Sequence, residues 1–174
     1  MTPAARRLPA AGAGPQATAV AVTGHVRLAP EVRGPVGEAL RRFLAAFPTD
    51  GLTGLSCLAE GADALFADAV LAAGGRLVAV LPSADYRERM VAPHYAAEFD
   101  RLRAAASEVR TLPYRRASAH AYAAAGRLLL GRADLLVAVW DGRPGRPGGT
   151  ADTVAAARAA GLPVTVLRPG PGRP

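Results

Sequence analysis

The chain has 174 residues, 51% of them apolar and 20% charged, with a formal net charge of +7. This suits one globular domain with a real core, leaves no room for a second full domain, and is too apolar for a disordered chain. The longest apolar runs, such as Leu135-Leu136-Val137-Ala138-Val139-Trp140, fall far short of the roughly 20 residues that a membrane span needs.

Residues 1–16 are rich in Ala, Gly and Pro without periodicity and read as a disordered tail, as do residues 169–174. Arg6-Arg7 resembles a twin-arginine start, but Pro9 and Pro15 interrupt the stretch where a signal peptide would carry its apolar core. A single cysteine, Cys57, excludes an internal disulfide and a multi-cysteine zinc site. The expected location is the cytoplasm.

Residues 17–168 alternate β-branched runs with amphipathic stretches. A first strand is expected over 17–23 and a helix over 31–47, where Val36, Leu40, Leu44 and Phe47 fall at helical spacing. A strand at 53–58 leads to a helix at 62–73, closed by Gly74-Gly75. A third strand spans 76–81 and stops at Pro82. Residues 84–106 read as a helix broken near Pro93, with Tyr95, Phe99, Leu102 and Ala106 as its buried stripe. A strand at 108–112, a helix at 118–130 and the clearest strand, 134–140, follow. After a Gly/Pro loop come a helix at 150–160 and a last strand at 163–167. Near-continuous apolar strands separated by helices imply a mainly parallel sheet covered on both faces. With right-handed crossovers this is a doubly wound, Rossmann-like α/β/α sandwich.

Ligands of such sheets bind outside the carboxyl ends of the strands. Thr23-Gly24-His25 follows the first strand there, and Ala59-Glu60-Gly61-Ala62-Asp63 follows the second. Pro82-Ser83-Ala84-Asp85-Tyr86 follows the third, and Asp141-Gly142 the fifth, ahead of Gly148-Gly149-Thr150 at a helix start. Glycines before a helix let backbone N–H groups approach an anion, aided by the helix dipole. Both Glu60-Gly61-Ala62 and Gly148-Gly149-Thr150 stand in that position, although Thr150 would serve equally as a plain N-cap. Neither standard phosphate motif is present: no G-x-G-x-x-G follows the first strand, and a chain without lysine cannot form a Walker A loop. Arg143 and Arg146 in the Gly/Pro loop read either as a phosphate clamp or as exposed charge.

The arginines are scattered, with only Arg6-Arg7, Arg41-Arg42 and Arg115-Arg116 adjacent and no basic run. Part of the excess follows from the alanine- and arginine-rich composition that high-GC coding DNA produces. A solvated arginine face is the plain reading, and a phosphate-bearing partner the alternative.

Together, Val22-Thr23-Gly24-His25, Leu58-Ala59-Glu60-Gly61-Ala62-Asp63, Val80-Leu81-Pro82, Ala121-Tyr122 with Ala125-Gly126, and Val139-Trp140-Asp141-Gly142 ahead of Gly148-Gly149-Thr150-Ala151 resemble the SLOG superfamily. That superfamily holds the DprA proteins and the LOG phosphoribohydrolases, long labelled lysine decarboxylases. The resemblance spans roughly residues 17–167 and rests on the order and spacing of motifs that are individually weak. It implies a Rossmann-like pocket for a nucleotide or a nucleotide-derived ligand. Some members hydrolyse the N-glycosidic bond of a nucleoside monophosphate; others sense a nucleotide or bind single-stranded DNA.

The hydrolases carry P-G-G-x-G-T-x-x-E, whose glutamate is catalytic. Here Gly149-Thr150 matches the G-T, but Thr153 replaces the glutamate, and Asp152 lies one residue early, turned about 100° away on a helix. That departure counts against hydrolysis. An N-glycosidase needs a carboxylate near the ribose, and Glu60 is the best remaining catalytic candidate, followed by Asp141. Dipole stabilisation of the helix start, or ribose binding, is the plainer role for Glu60. Asp141 reads more simply as ordering its loop or binding a hydroxyl.

His25 reads as a ligand contact or as a loop-ordering residue. His94 and His120 are placed on helices without a second ligand at metal spacing, so no metal site is expected. Cys57 reads as a small core residue, Tyr86 as a base-stacking or a core residue, and Tyr122 as packing.

The reading that results is a nucleotide sensor or carrier. Phosphate meets the helix start at 148–150, Glu60 and Asp141 face the ribose, and Thr23, Gly24, His25, Gly61, Pro82, Tyr86 and Gly142 line the site. A nucleoside-monophosphate phosphoribohydrolase is the first alternative. A DprA-like single-strand DNA binder is the second, disfavoured by the 5% aromatic content. No cofactor and no membrane partner are implied; homo-oligomerisation is left open.

Overall fold

The computed structural model describes residues 17–170; positions 1–16 and 171–174, read as tails from sequence, lie outside it. Six strands form one sheet: β1 (Thr18–Gly24), β2 (Leu52–Ser56), β3 (Arg76–Leu81), β4 (Glu108–Thr111), β5 (Leu135–Val139) and β6 (Val164–Leu167). All five pairings are parallel, in the order β4-β3-β2-β1-β5-β6. The chain therefore steps outward from β1 through β2, β3 and β4, then returns to add β5 and β6 on the other side of β1. The direction reverses between β1 and β5, which sets the crevice outside their carboxyl ends as the natural ligand site.

Side-chain alternation divides the core into two layers. Val20, Val22, Val137 and Val139 face α1 (Pro30–Leu44) and α2 (Ala62–Ala72), to which α1 contributes the stripe Val36, Leu40 and Leu44. On the same side, Leu77, Ala79 and Leu81 meet α2, the single-turn α3 (Tyr86–Arg89) and α4 (Ala96–Ala105). Ala21, Leu55, Val78, Val80, Leu136 and Ala138 point the other way, into α5 (Ala119–Arg132) and α6 (Thr150–Ala159). Ser118 caps α5, its hydroxyl accepting from the Ala121 N–H at 3.1 Å.

The elements follow the sequence pattern with local departures. The first helix, expected to reach Phe47, ends at Leu44 and tightens into i→i+3 turns, Phe47 N–H donating to Leu44 O at 3.0 Å. Pro48 explains this, because the residue before a proline is pushed out of the helical region. Similarly, the stretch 84–106 resolves into α3 and α4, and His94 lies in the turn between them rather than on a helix. Among the described residues no helix is long and apolar enough to cross a membrane.

Gly24 ends β1 in a gap that admits no side chain. A Cβ there would stand 2.4 Å from Ala62 Cβ and 2.9 Å from Val139 Cβ, so the glycine read as ligand-facing is the contact at which α2 and β5 close on β1. The flanking backbone is bonded on both sides: His25 N–H donates to Val139 O at 3.3 Å, and His25 O accepts from Ala62 N–H at 3.2 Å. Gly24→Ala is expected to cost about 1–3 kcal/mol through overpacking. The measurement is a lowered urea midpoint with an unchanged m-value.

Candidate functional site

The β2–α2 turn is built on a buried carboxylate. Asp63 Oδ2 accepts from Ser56 Oγ at 3.2 Å and from Cys57 N–H at 3.1 Å, while Ser56 Oγ accepts from Leu58 N–H at 3.0 Å. These bonds hold Leu58, fully buried, in the left-handed region at φ 56°, and Tyr95 Oη donates to its carbonyl at 3.0 Å. Gly61 has φ 88°, and a Cβ on it would lie 2.5 Å from the carbonyl oxygens of His25 and Val26. Gly61 is thus demanded by the β1–α1 loop lying on it. The N–H groups of Ala62 and Ala64 donate to His25 O and Ala59 O, so two donors of this helix start are taken by its own chain. Glu60 stands on the rim, Oε1 at 2.8 Å from Nε2 of the exposed His94.

The segment after β3 turns inward. Pro82 and Ser83 are buried. Ser83 Oγ donates to Asp85 Oδ1, which also accepts from Ala117 N–H, both at 2.8 Å. Tyr86 is 3% exposed, its ring 6.0 Å from Phe99 and 6.2 Å from Tyr122 by centroid. Base stacking by Tyr86 gives way to core packing, because its ring is enclosed by side chains from α4 and α5. Burial pushes both the Tyr86 hydroxyl and the Cys57 thiol well above their usual ranges.

The two connections flanking the switch point do come together. His25 Nε2 lies 3.4 Å from Asp141 Oδ1. Asp141 Oδ1 accepts from Arg143 N–H at 3.0 Å, and this bond, followed by the nearby His25, holds the carboxyl below its usual range. Trp140 Nε1 donates to Arg143 O at 2.8 Å, and its ring packs on the α5–α6 side. Thr23, paired with Ala138 in register, supports this point from within the sheet, and Gly142 lies exposed in the loop.

The start of α6 differs from its expected form. Gly149 is the N-cap residue and Thr150 the first helical residue, so Thr150 is not the cap. Gly148 N–H donates to Asp152 Oδ2 at 2.7 Å and Gly149 N–H to Arg146 O at 2.9 Å. Thr153, at the position of the hydrolase glutamate, turns its hydroxyl onto Gly149 O at 3.1 Å.

A cleft of about 590 Å³ opens at the switch point, on the α1 side of the sheet. His25 and Asp141 line it, with Arg27, Arg143 and Arg168, the residues Leu28 and Ala29 that lead into α1, and Val32 in its first turn. Glu60, Tyr86 and the 148–150 segment are not among its lining residues. Arg27 and Arg168 were missed by sequence reasoning, although Arg168 directly follows β6 and Arg27 lies three residues past the end of β1. A depression of about 600 Å³ at the opposite sheet edge, around Ala17, Thr53 and Gly74, lies at the amino ends of the strands, where this fold does not place ligands.

No protein-family model matches the sequence, and neither does any curated protein. Solved structures match. DprA from Streptococcus pneumoniae superposes with a TM-score of 0.64 at 19% identity, over 90% of this chain and 51% of its own. The protein TM1055 does so with a TM-score of 0.55 at 26% identity, over 84% and 72%. The molybdenum cofactor carrier protein of Chlamydomonas reinhardtii gives 0.55 at 21%, over 87% and 77%. The chain has the fold of the SLOG superfamily. It spans about half the length of the pneumococcal DprA chain.

Within this SLOG fold, Asp63 makes the β2–α2 turn sensitive to pH. Burial raises its carboxyl from 3.8 to about 6, against the lowering effect of its hydrogen bonds. The folded state therefore holds the proton more tightly than the unfolded one. The stabilisation is complete below pH 3.8 and is lost as pH rises through about 6, a change of about 3 kcal/mol. Asp63→Asn keeps an acceptor and removes the titration. Its stability relative to wild type is expected to rise by about 2 kcal/mol between pH 4.5 and pH 7, read from urea midpoints at the two values.

Proposed function

We propose that this chain binds a nucleotide or nucleotide-derived ligand in the switch-point cleft, as a sensor or carrier rather than a hydrolase. The observation that carries the reading is the convergence of His25 and Asp141 with arginines in one cleft at the reversal of strand order. Asp141 has its Oδ1 fixed by Arg143, which leaves Oδ2 to accept from a sugar hydroxyl. Arginine guanidinium groups meet phosphate with paired, charge-assisted hydrogen bonds. Structural neighbours support a binding role without naming the ligand: DprA from Helicobacter pylori binds single-stranded DNA, and the Chlamydomonas protein carries the molybdenum cofactor. Fold alone does not choose among such ligands.

Trp140 supplies the assay. Its indole is bonded to the backbone of Arg143, a cleft residue. Titrating the common nucleotides is expected to change its emission saturably for at least one, with nucleosides as the inner-filter control, and Asp141→Ala is expected to weaken the response. Calorimetrically detected binding that leaves the corrected emission unchanged would remove the ligand from this loop.

Hydrolysis is expected to be absent. Thr153 is bonded to its own helix, and Glu60 is engaged with His94 outside the cleft. Incubation with nucleoside monophosphates is expected to release no free base by chromatography. Robust release would overturn the binding-only reading, and the losses in Glu60→Gln and Asp141→Asn would then identify the acid.

A further inference from the structure

We propose that the phosphate of this ligand is held by Arg27, Arg143 and Arg168 on the α1 side of the switch point, and not by the glycine-rich start of α6. The inference rests on the nucleotide reading above and assigns its anion subsite.

Two helices begin beside the crevice, on opposite faces of the sheet: α1 packs with Val20 and Val139, and α6 with Ala21 and Ala138. The start of α6 already holds an anion of its own. Gly148 N–H is bonded to the Asp152 carboxylate at 2.7 Å, and Gly149 N–H to Arg146 O. A carboxylate in the first turn satisfies the positive end of the helix dipole. A phosphate arriving there meets a like charge where its glycine donors should be.

The α1 side has the opposite character. Arg27 comes from the β1–α1 loop, Arg143 from the β5–α6 loop and Arg168 from the segment after β6, yet all three line one cleft. No carboxylate of the described residues forms an ion pair with any of them, which they share with most described arginines, only Arg41, Arg87, Arg101 and Arg132 being paired, with Glu38, Asp100, Asp68 and Glu108. What sets the three apart is that they converge on one cleft. The one carboxylate in the cleft, Asp141, is bonded to the Arg143 backbone, faces His25 and feels the Arg143 charge without pairing with it. Three guanidinium groups against one carboxylate leave the cleft an excess of positive charge and of planar paired donors, the complement of a phosphate group.

Calorimetry on the full chain tests this, with the four common nucleoside monophosphates and inorganic pyrophosphate as probes. In the double variant R27Q/R168Q, whose side chains are exposed, the tightest-binding monophosphate and pyrophosphate should each lose about tenfold or more in affinity. Asp152→Asn and the control Arg158→Gln, on the exposed face of α6, should stay within about twofold of wild type. Circular dichroism confirms that each variant is folded.

Wild-type affinity in R27Q/R168Q overturns the inference, as does a tenfold gain in Asp152→Asn, which locates the phosphate at α6 and leaves the nucleotide reading intact. An equal loss in Arg158→Gln also overturns it, because diffuse charge then suffices. Arginine-dependent pyrophosphate binding with no nucleotide binding supports the anion subsite and removes the nucleotide reading. Binding of neither probe by wild type removes both.

Discussion

The end of β1 is packed so closely that it fixes the rest of the carboxyl edge. Gly24 leaves no space between Ala62 and Val139, and His25 bonds backward to β5 through its N–H and forward to α2 through its carbonyl. Gly61 meets the same constraint from the other side, since a Cβ on it would strike the carbonyls of His25 and Val26. Both glycines are required by close contacts within the chain itself. Their work is to lock the β1–α1 loop so that His25 arrives beside Asp141 and Arg27 enters the cleft.

Charge at this edge is sorted in a consistent way. Every carboxylate just past a strand end is engaged internally: Glu60 with His94, Asp63 with Ser56 and Cys57, Asp85 with Ser83 and Ala117, and Asp141 with Arg143. Asp152 does the same at α6. The ion-paired arginines of the described residues lie on α1, α3, α4 and α5, away from the cleft. Negative charge at this edge is therefore tied to the protein's own turns, while Arg27, Arg143 and Arg168 line the crevice without an ion pair among the described residues. A net charge of +7 spread over a surface is largely screened; three arginines gathered in a concave site keep much of their field.

The strands β1, β3 and β5 were legible because they read as valine- and leucine-rich apolar runs, and β3 was located at its observed bounds of Arg76 and Leu81; β2, with Thr53 its one β-branched residue, ends at Ser56 rather than at Leu58, which lies in the left-handed region. His25 and Asp141 were legible for the same reason, as polar residues immediately past such runs. Arg27 and Arg168 were not, because their meeting depends on β6 lying beside β5 and on α1 lying on that face. Spacing along a chain does not encode which strand neighbours which. Tyr86 was ambiguous for a different reason: an aromatic after a strand looks alike whether it stacks on a base or packs inward. The decision belonged to Phe99 and Tyr122, distant in sequence. At α6, the sequence pattern of glycines before a helix read as an anion site because the acceptor that fills it, Asp152, looked like an ordinary first-turn acid.

The β2–α2 turn carries the remaining local cost. A left-handed leucine is unfavourable by about 1–2 kcal/mol, and a buried carboxylate adds a desolvation penalty. Neither lines the cleft. Leu58 in the left-handed region nevertheless reverses the chain sharply enough to bring Gly61 under the β1–α1 loop, and the bonds from Ser56, Cys57 and Tyr95 hold that reversal. Burial of the whole Leu58 side chain offsets the cost by about 1.5–3 kcal/mol. A relaxed turn would move the start of α2 away from the His25 carbonyl and remove one of the two backbone bonds that fix His25. The strain is thus spent one layer behind the cleft, on the geometry of the loop that forms its wall.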